Sequence, residues 1–227
     1  MPHVARTASR QHPKKGTSVI STSLKDQMPS DCLPTDAVLL RLQGMPPHWD
    51  TLSQRLAAMP ICRELGGTVT RCAWSESSGT AYVYLELPGR IALSRRALAP
   101  LEYVADATTG VHVSRLALML DLQGASRAHR ASFHYVVEMN PQAGWSLELQ
   151  RWYDSEHLPG LAGVPGCVRA QRFWNYDAGP QSLACYDLLT EDTLGSAPWL
   201  SVRHTPWSAR MRPRFMDTVR TMFTLRP

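Results

Sequence analysis

Apolar residues recur along the chain at two spacings, and these spacings predict its elements. Ala37-Val-Leu-Leu-Arg-Leu42 has the length and apolar character of a strand. Pro46-Pro47 then open a helix in which Leu52, Leu56, Ala57 and Met59 fall at helical spacing. After Gly66-Gly67 the chain alternates as a strand from Thr68 to Trp74. The turn cluster Ser75 to Gly79 follows, and Thr80 to Leu87 is its hairpin partner. Pro88-Gly89 predicts another turn, Ile91 to Leu98 a short helix and Val111 to Leu120 a strand. The order is β-α-β-β-α-β, the ferredoxin-like plan.

The same order comes round again. Ser132 to Met139 reads as a strand, Asn140 to Gly144 as a turn and Trp145 to Leu158 as a helix. Pro159 disfavours helical geometry at the residue before it, so the helix is expected to stop at Leu158. Gly166 to Asn175 and Ser182 to Leu189 form a second predicted hairpin around the turn at Asp177 to Pro180. Glu191 to His204 is helical with an interruption at Ser196 to Pro198. Thr205 is placed to cap a further helix beginning at Pro206, and Phe215 to Leu225 is the last strand. Echoes between the halves include Trp74 with Trp174, Arg71 with Arg172, and the ten-residue steps Tyr84 to Ser94 and Tyr186 to Ser196.

The expected fold is α+β: two tandem ferredoxin-like units packed sheet to sheet as an intrachain α/β barrel of the dimeric type. Residues 35–122 form a degenerate first unit, 123–130 a polar linker and 131–227 the second unit. Residues 1–34 are rich in Ser, Thr, Lys, Arg and Pro and read as a flexible arm.

Composition narrows the partners. Of 227 residues, 44% are hydrophobic and 19% charged, enough to bury a core. The net charge of +5 is mild and lies largely at the two ends, without the basic stripe and interleaved aromatics of a nucleic-acid binder. No apolar run reaches the roughly eighteen residues of a membrane span. The arm is similar in composition to a transit peptide but has no amphipathic stripe, so a cytoplasmic protein is expected. Five cysteines and eight histidines show no metal-ligand spacing, so neither metal nor cofactor is expected. There is no phosphate loop: Gly160, Gly163 and Gly166 follow a helix and lead into a strand, the reverse of what a phosphate loop needs.

The chemistry concentrates between Trp152 and His157. On a regular helix Tyr153 and His157 share a face, as do Trp152 and Glu156. His157 is the candidate general acid or base, because an ordinary imidazole exchanges a proton near neutral pH. Tyr153 is the candidate hydrogen-bond donor to a carbonyl or enolate. Glu156 points away around the helix and is expected to support the packing, through a salt bridge to an arginine. His134 and Tyr135 must face opposite ways on their strand. His134 is a candidate second proton carrier, and Tyr135, Trp152, Trp174 and Tyr186 are candidates for an aromatic pocket wall. Arg210 and Arg212 are candidates for binding a substrate carboxylate.

The run Trp152-Tyr-Asp-Ser-Glu-His-Leu-Pro159, followed by Val164-Pro-Gly166 and the strand through Arg172-Phe173, resembles the EthD-like proteins of the dimeric α/β barrel superfamily. Thr205-Pro-Trp-Ser208 and Arg210-Met-Arg-Pro213 are similar to the C-terminal part of such domains. The resemblance covers residues 131–227. The first half shares only the element order and offers His48-Trp49-Asp50 where the motif would lie. It implies a small organic ligand, chemistry without metal or nucleotide, and one site per chain in the second half. The reading favours a cofactor-independent isomerase or lyase acting on a carbonyl, lactone or polyketide-like substrate. A non-catalytic binder or stress-associated protein and a cofactor-free monooxygenase stand beside it, with room for a homodimer.

Overall fold

The computed structural model describes residues 31–44, 46–105 and 110–226. The expectation of a flexible arm therefore lies outside the described residues, apart from its last four positions. Eight antiparallel strands close into one barrel: β1 (Leu33–Gln43), β2 (Thr68–Ser75), β3 (Thr80–Leu93), β4 (Gly110–Gln123), β5 (Phe133–Pro141), β6 (Cys167–Asn175), β7 (Ser182–Leu188) and β8 (Phe215–Leu225). Their order round the barrel is β1-β3-β2-β8-β5-β7-β6-β4. The two expected sheets are thus joined at their edges and not merely stacked face to face. β4 pairs with β6 from Leu116 to Gln123, and β2 meets β8 over Ala73 and Trp74. Edge strands carry unpaired backbone donors and acceptors, and this closure satisfies them within the chain.

Strand alternation divides the core into three layers. Leu39, Ala73, Tyr84, Leu116, Val136, Phe173, Cys185 and Phe223, one from each strand, pack together inside the barrel. The outer faces of β1 to β4 pack under α1 (Trp49–Ala58), α2 (Pro60–Leu65) and a 3-10 turn at Arg96–Tyr103. The outer faces of β5 to β8 pack under α3 (Ser146–Trp152), α4 (Leu158–Ala162), α5 (Ala197–Arg203) and α6 (Pro206–Met211).

Three expectations about the elements change. Pro88-Gly89 does not turn the chain, and the helix expected at Ile91 to Leu98 gives way to strand as far as Leu93 and a 3-10 turn from Arg96. β3 runs on to Leu93 because β1 extends back to Leu33 and pairs with it, and Pro88 falls in the register shift between Thr35 and Ala37, where a missing N–H breaks no ladder. Residues 123–130 are no free linker. Gly124, Ala125 and Ser126 donate backbone hydrogen bonds to Val168, Ala162 and Cys167. A Cβ at Gly124 would lie 2.1 Å from the Cys167 carbonyl oxygen, so only glycine fits. The echoes between halves also diverge. Arg71 and Tyr84 point into the barrel, whereas Arg172 and Tyr186 lie on the outer face.

Candidate functional site

The helix carrying His157 does not stop at Leu158. α3, a π-helical turn at Tyr153–His157 and α4 run as one continuous helix, and the Leu158 N–H donates to the Tyr153 carbonyl five residues back. A proline inside a helix lacks the donor and crowds the carbonyl four residues earlier; the wider π turn relieves that crowding and lets the helix pass Pro159. The π turn also changes the side-chain pairing. Trp152 does not pair with Glu156. Its ring stacks on the His157 imidazole at 4.0 Å and an interplanar angle of 19°. Tyr153 meets the same imidazole edge-on at 5.6 Å. Glu156 turns away and accepts the Thr205 hydroxyl at 2.6 Å, in place of the expected arginine. Thr205 in turn caps α6 by accepting the Ser208 N–H, as its position before Pro206 predicts.

His157 lines a cleft between this helix and the outer face of the sheet. Tyr135, Val137, Tyr186 and Arg220 form its floor, and Trp199, Arg203, Arg212 and Phe215 close its sides. Tyr135 and Tyr186 stack at 6.2 Å, and Trp199 stands edge-on to Tyr186 at 5.2 Å. The free volume is about 40 Å³, room for a few water molecules.

The electrostatics of the cleft are one-sided. His157 is 9% exposed, and its Nδ1 is buried without a hydrogen-bond partner. Burial, then the charges of Arg212 and Arg203, push its pKa down to about 3, so the imidazole is neutral at pH 7. Burial raises the Tyr153 phenol to about 12, against the opposing pull of Arg172, whose guanidinium lies 4.9 Å from its ring. Burial, then Arg203 and Arg220, lower the pKa of Arg212, which still stays cationic. Among the described residues no carboxylate lies within 4 Å of Arg203, Arg212 or Arg220. Arg212, a sequence candidate for a carboxylate, does line the cleft; Arg203 could not be picked out from sequence, because its neighbours in the cleft come from different elements. Arg172 is 1% exposed, its Nε and Nη1 make no hydrogen bond and Nη1 lies 3.8 Å from Asp154; the sequence showed it as an echo of Arg71 and within the strand that follows the helix motif.

The remaining predicted residues lie elsewhere. His134 faces the barrel interior while Tyr135 faces the helices. His134 is 0% exposed, its Nδ1 2.7 Å from Asp187 and its Nε2 3.1 Å from the Tyr84 hydroxyl. Asp187 also accepts from Arg71 Nε and Nη2. Burial alone would raise Asp187, but Arg71 and His134 hold it well below the usual carboxylate range. Trp174 sits on β6 and does not reach the cleft. Arg210 pairs with Glu148 at 2.8 Å and lies over Trp207, outside the cleft, so it is not positioned to bind a carboxylate there.

A larger cavity of about 360 Å³ opens at one mouth of the barrel, lined by Arg41, Tyr82, His112 and Glu138 among others. There Glu138 accepts from both Arg41, at 2.8 Å, and the Tyr82 hydroxyl, at 2.7 Å. Its central ion pair is internally satisfied, in contrast to the cleft at His157. Among the described residues no cluster of His, Cys, Asp and Glu could hold a metal ion, and no helix is long and apolar enough to cross a membrane.

No family model and no curated protein matches the chain. Solved structures do. A Fusobacterium nucleatum protein described as a candidate monooxygenase superposes with a TM-score of 0.54 at 7% identity, over 85% of this chain and 93% of that one. A ferredoxin-fold protein from Listeria monocytogenes, related to antibiotic-biosynthesis monooxygenases, gives 0.52 at 12% identity, over 85% and 96%. An anthrone oxidase-like protein gives 0.52 at 10% identity, over 86% and 94%. At such identities the likeness establishes the ferredoxin-type α+β fold and no more.

Proposed function

We propose that the cleft is the active site of a cofactor-independent enzyme of the isomerase or lyase kind. His157 takes a proton from a carbon beside a carbonyl group of a small substrate, and Tyr153 donates a hydrogen bond to the oxygen on which charge develops. The observation that carries this reading is a buried imidazole held by no hydrogen bond, facing an aromatic-walled cleft. Its neutral form is the one a base requires, and stacking on Trp152 orients the ring without occupying either nitrogen. Arg172 beneath Tyr153 favours the phenol's hydrogen bond to a developing oxyanion. His134, with both nitrogens occupied, serves the barrel core.

The proposal keeps the EthD-like kinship of the second half. It also keeps the division into units at 35–122 and 131–227, with the first unit completing the barrel and leaving the chemistry to the second. No observation favours a monooxygenase reaction over this one.

The test is deuterium exchange. In D₂O a panel of lactones and β-dicarbonyl compounds is incubated with the protein and followed by NMR. The wild-type protein should incorporate deuterium at the carbon beside the carbonyl, and His157→Gln should not. Equal exchange by a folded His157→Gln variant, or binding without exchange across the panel, overturns the reading and leaves a binding protein.

A further inference from the structure

Three arginines reach the cleft from three different elements. Arg203 ends α5, Arg212 follows α6 and Arg220 lies on β8 opposite Val137. Each depresses or is depressed by another, since Arg203 and Arg220 both lower Arg212. Four buried or half-buried arginines elsewhere among the described residues have found acids: Arg41 has Glu138, Arg71 has Asp187, Arg115 has Asp177 and Arg169 has Asp121. The three at the cleft have none, and Arg212 Nη2 is buried with no acceptor at all. Like charges gathered without a counter-charge destabilise the fold, and an anion removes that cost when it binds. Independently, His157 is nine-tenths buried beside them with an unfilled nitrogen.

We propose that this cleft takes a small organic carboxylate, with Arg203, Arg212 and Arg220 holding the anionic head and Tyr135, Tyr186 and Trp199 receiving its body. This rests on the proposed active site and names the substrate class for it. The planar guanidinium suits a carboxylate by paired hydrogen bonds, and the aromatic floor selects an organic body over a bare inorganic ion. The free volume of about 40 Å³ matches a carboxylate head; Arg220 is exposed and Arg203 half-buried, so both long side chains can swing to admit the rest. The groups facing His157 are these three arginines and the phenols of Tyr135, Tyr153 and Tyr186, with no acid among them. A bound carboxylate therefore supplies the negative charge the cleft lacks. It offsets Arg203 and Arg212 and raises the basicity of His157 when such a substrate is bound.

The experiment uses the full chain, with benzoate and acetate as carboxylates, benzamide as the neutral isostere of benzoate, and inorganic phosphate as the non-organic anion. Binding is followed by calorimetry and the His157 ring by NMR titration. Benzoate should bind at least about tenfold more tightly than benzamide, and Arg212→Gln and Arg203→Gln should each remove about that factor. The His157 titration should move upward by about one unit or more with benzoate and stay in place with benzamide, as a charge partner within a few ångströms dictates. Equal affinity for benzoate and benzamide, no binding of either carboxylate, or phosphate binding as tightly as benzoate overturns the proposal. These measurements need no turnover. Carboxylate binding without deuterium exchange sinks the enzymatic reading alone, whereas exchange into neutral carbonyl compounds that Arg212→Gln leaves untouched sinks the carboxylate site alone.

Discussion

His134 and His157 lie in the same half of the chain, both buried and both neutral at pH 7, yet they sit in opposite environments. His134 is inside the barrel, where its two nitrogens are taken up by Asp187 and Tyr84. Asp187 only accepts, so Nδ1 carries the proton and Nε2 accepts from the Tyr84 hydroxyl. Arg71 completes the set, and the network ties β2 and β3 of the first half to β5 and β7 of the second. His157 lies outside the barrel against the helices, with no hydrogen bond and an excess of positive charge around it. Burial and neutrality alone thus do not mark a catalytic histidine. What separates the two is whether the neighbours satisfy the ring.

The comparison breaks most sharply at Asp187. Asp187→Ala leaves Arg71 inside the barrel with only the more distant Glu86 carboxylate, 3.5 Å from Nη1, as a counter-charge, and His134 without its acceptor. It should cost about 3–5 kcal/mol in urea unfolding, the range for breaking a buried ion pair by removing one partner. A loss under about 1 kcal/mol would mean that the network is not what joins the halves.

His157→Gln should behave in the opposite way. No hydrogen bond is lost, so stability should change by no more than about 1 kcal/mol, within the usual range for a single substitution. The deuterium-exchange rate should fall at least about 10²-fold, the typical contribution of a positioned general base. A large loss of stability with unchanged exchange would exchange the roles of the two histidines.

Acid should then sharpen the contrast. Both histidines have folded pKa values below the unfolded value of about 6.5, so the unfolded chain takes up protons first as pH falls. Stability should be full above about pH 6.5 and decline below it, for His157 across the window down to about 3. Asp187, also held low, adds to the same loss below about pH 4. The midpoint of urea unfolding measured against pH reports this, and His157→Gln should flatten the slope between about 6.5 and 3. A stability that rises on acidification from pH 6.5 would refute the assignment of neutral buried rings.

The smallest effect belongs to Thr205, which caps α6 and also donates to Glu156. Thr205→Ala should lower stability by about 1 kcal/mol, as loss of an N-cap does, with exchange unaltered. A change in exchange of the same size as that for His157→Gln would bring Glu156 back as a catalytic partner.

The second-half helix and its residues were the most legible part of the site. Trp152, Tyr153 and His157 stand within six positions, a local relation, whereas Tyr135 and Tyr186 meet across the β5–β7 pairing. The π turn was not legible, because the proline signal that predicts a stop is the same signal that a widened turn absorbs. Arg203 and Arg220 were missed, and of the two arginines read as carboxylate candidates only Arg212 lines the cleft, because which of several arginines near a helix end faces a neighbouring element depends on packing between elements.

By itself the sequence determined the strand and helix order, the two hydrophobic faces of each strand and the cluster around His157. Periodicity and turn chemistry act over a few residues and need no distant partner. Only the tertiary structure decided that the sheets meet edge to edge in one barrel. It also placed His134 in a satisfied network inside and gathered three arginines without an acid around His157. Each of these depends on contacts between residues tens of positions apart, where register and side-chain direction, not local pattern, choose the partners.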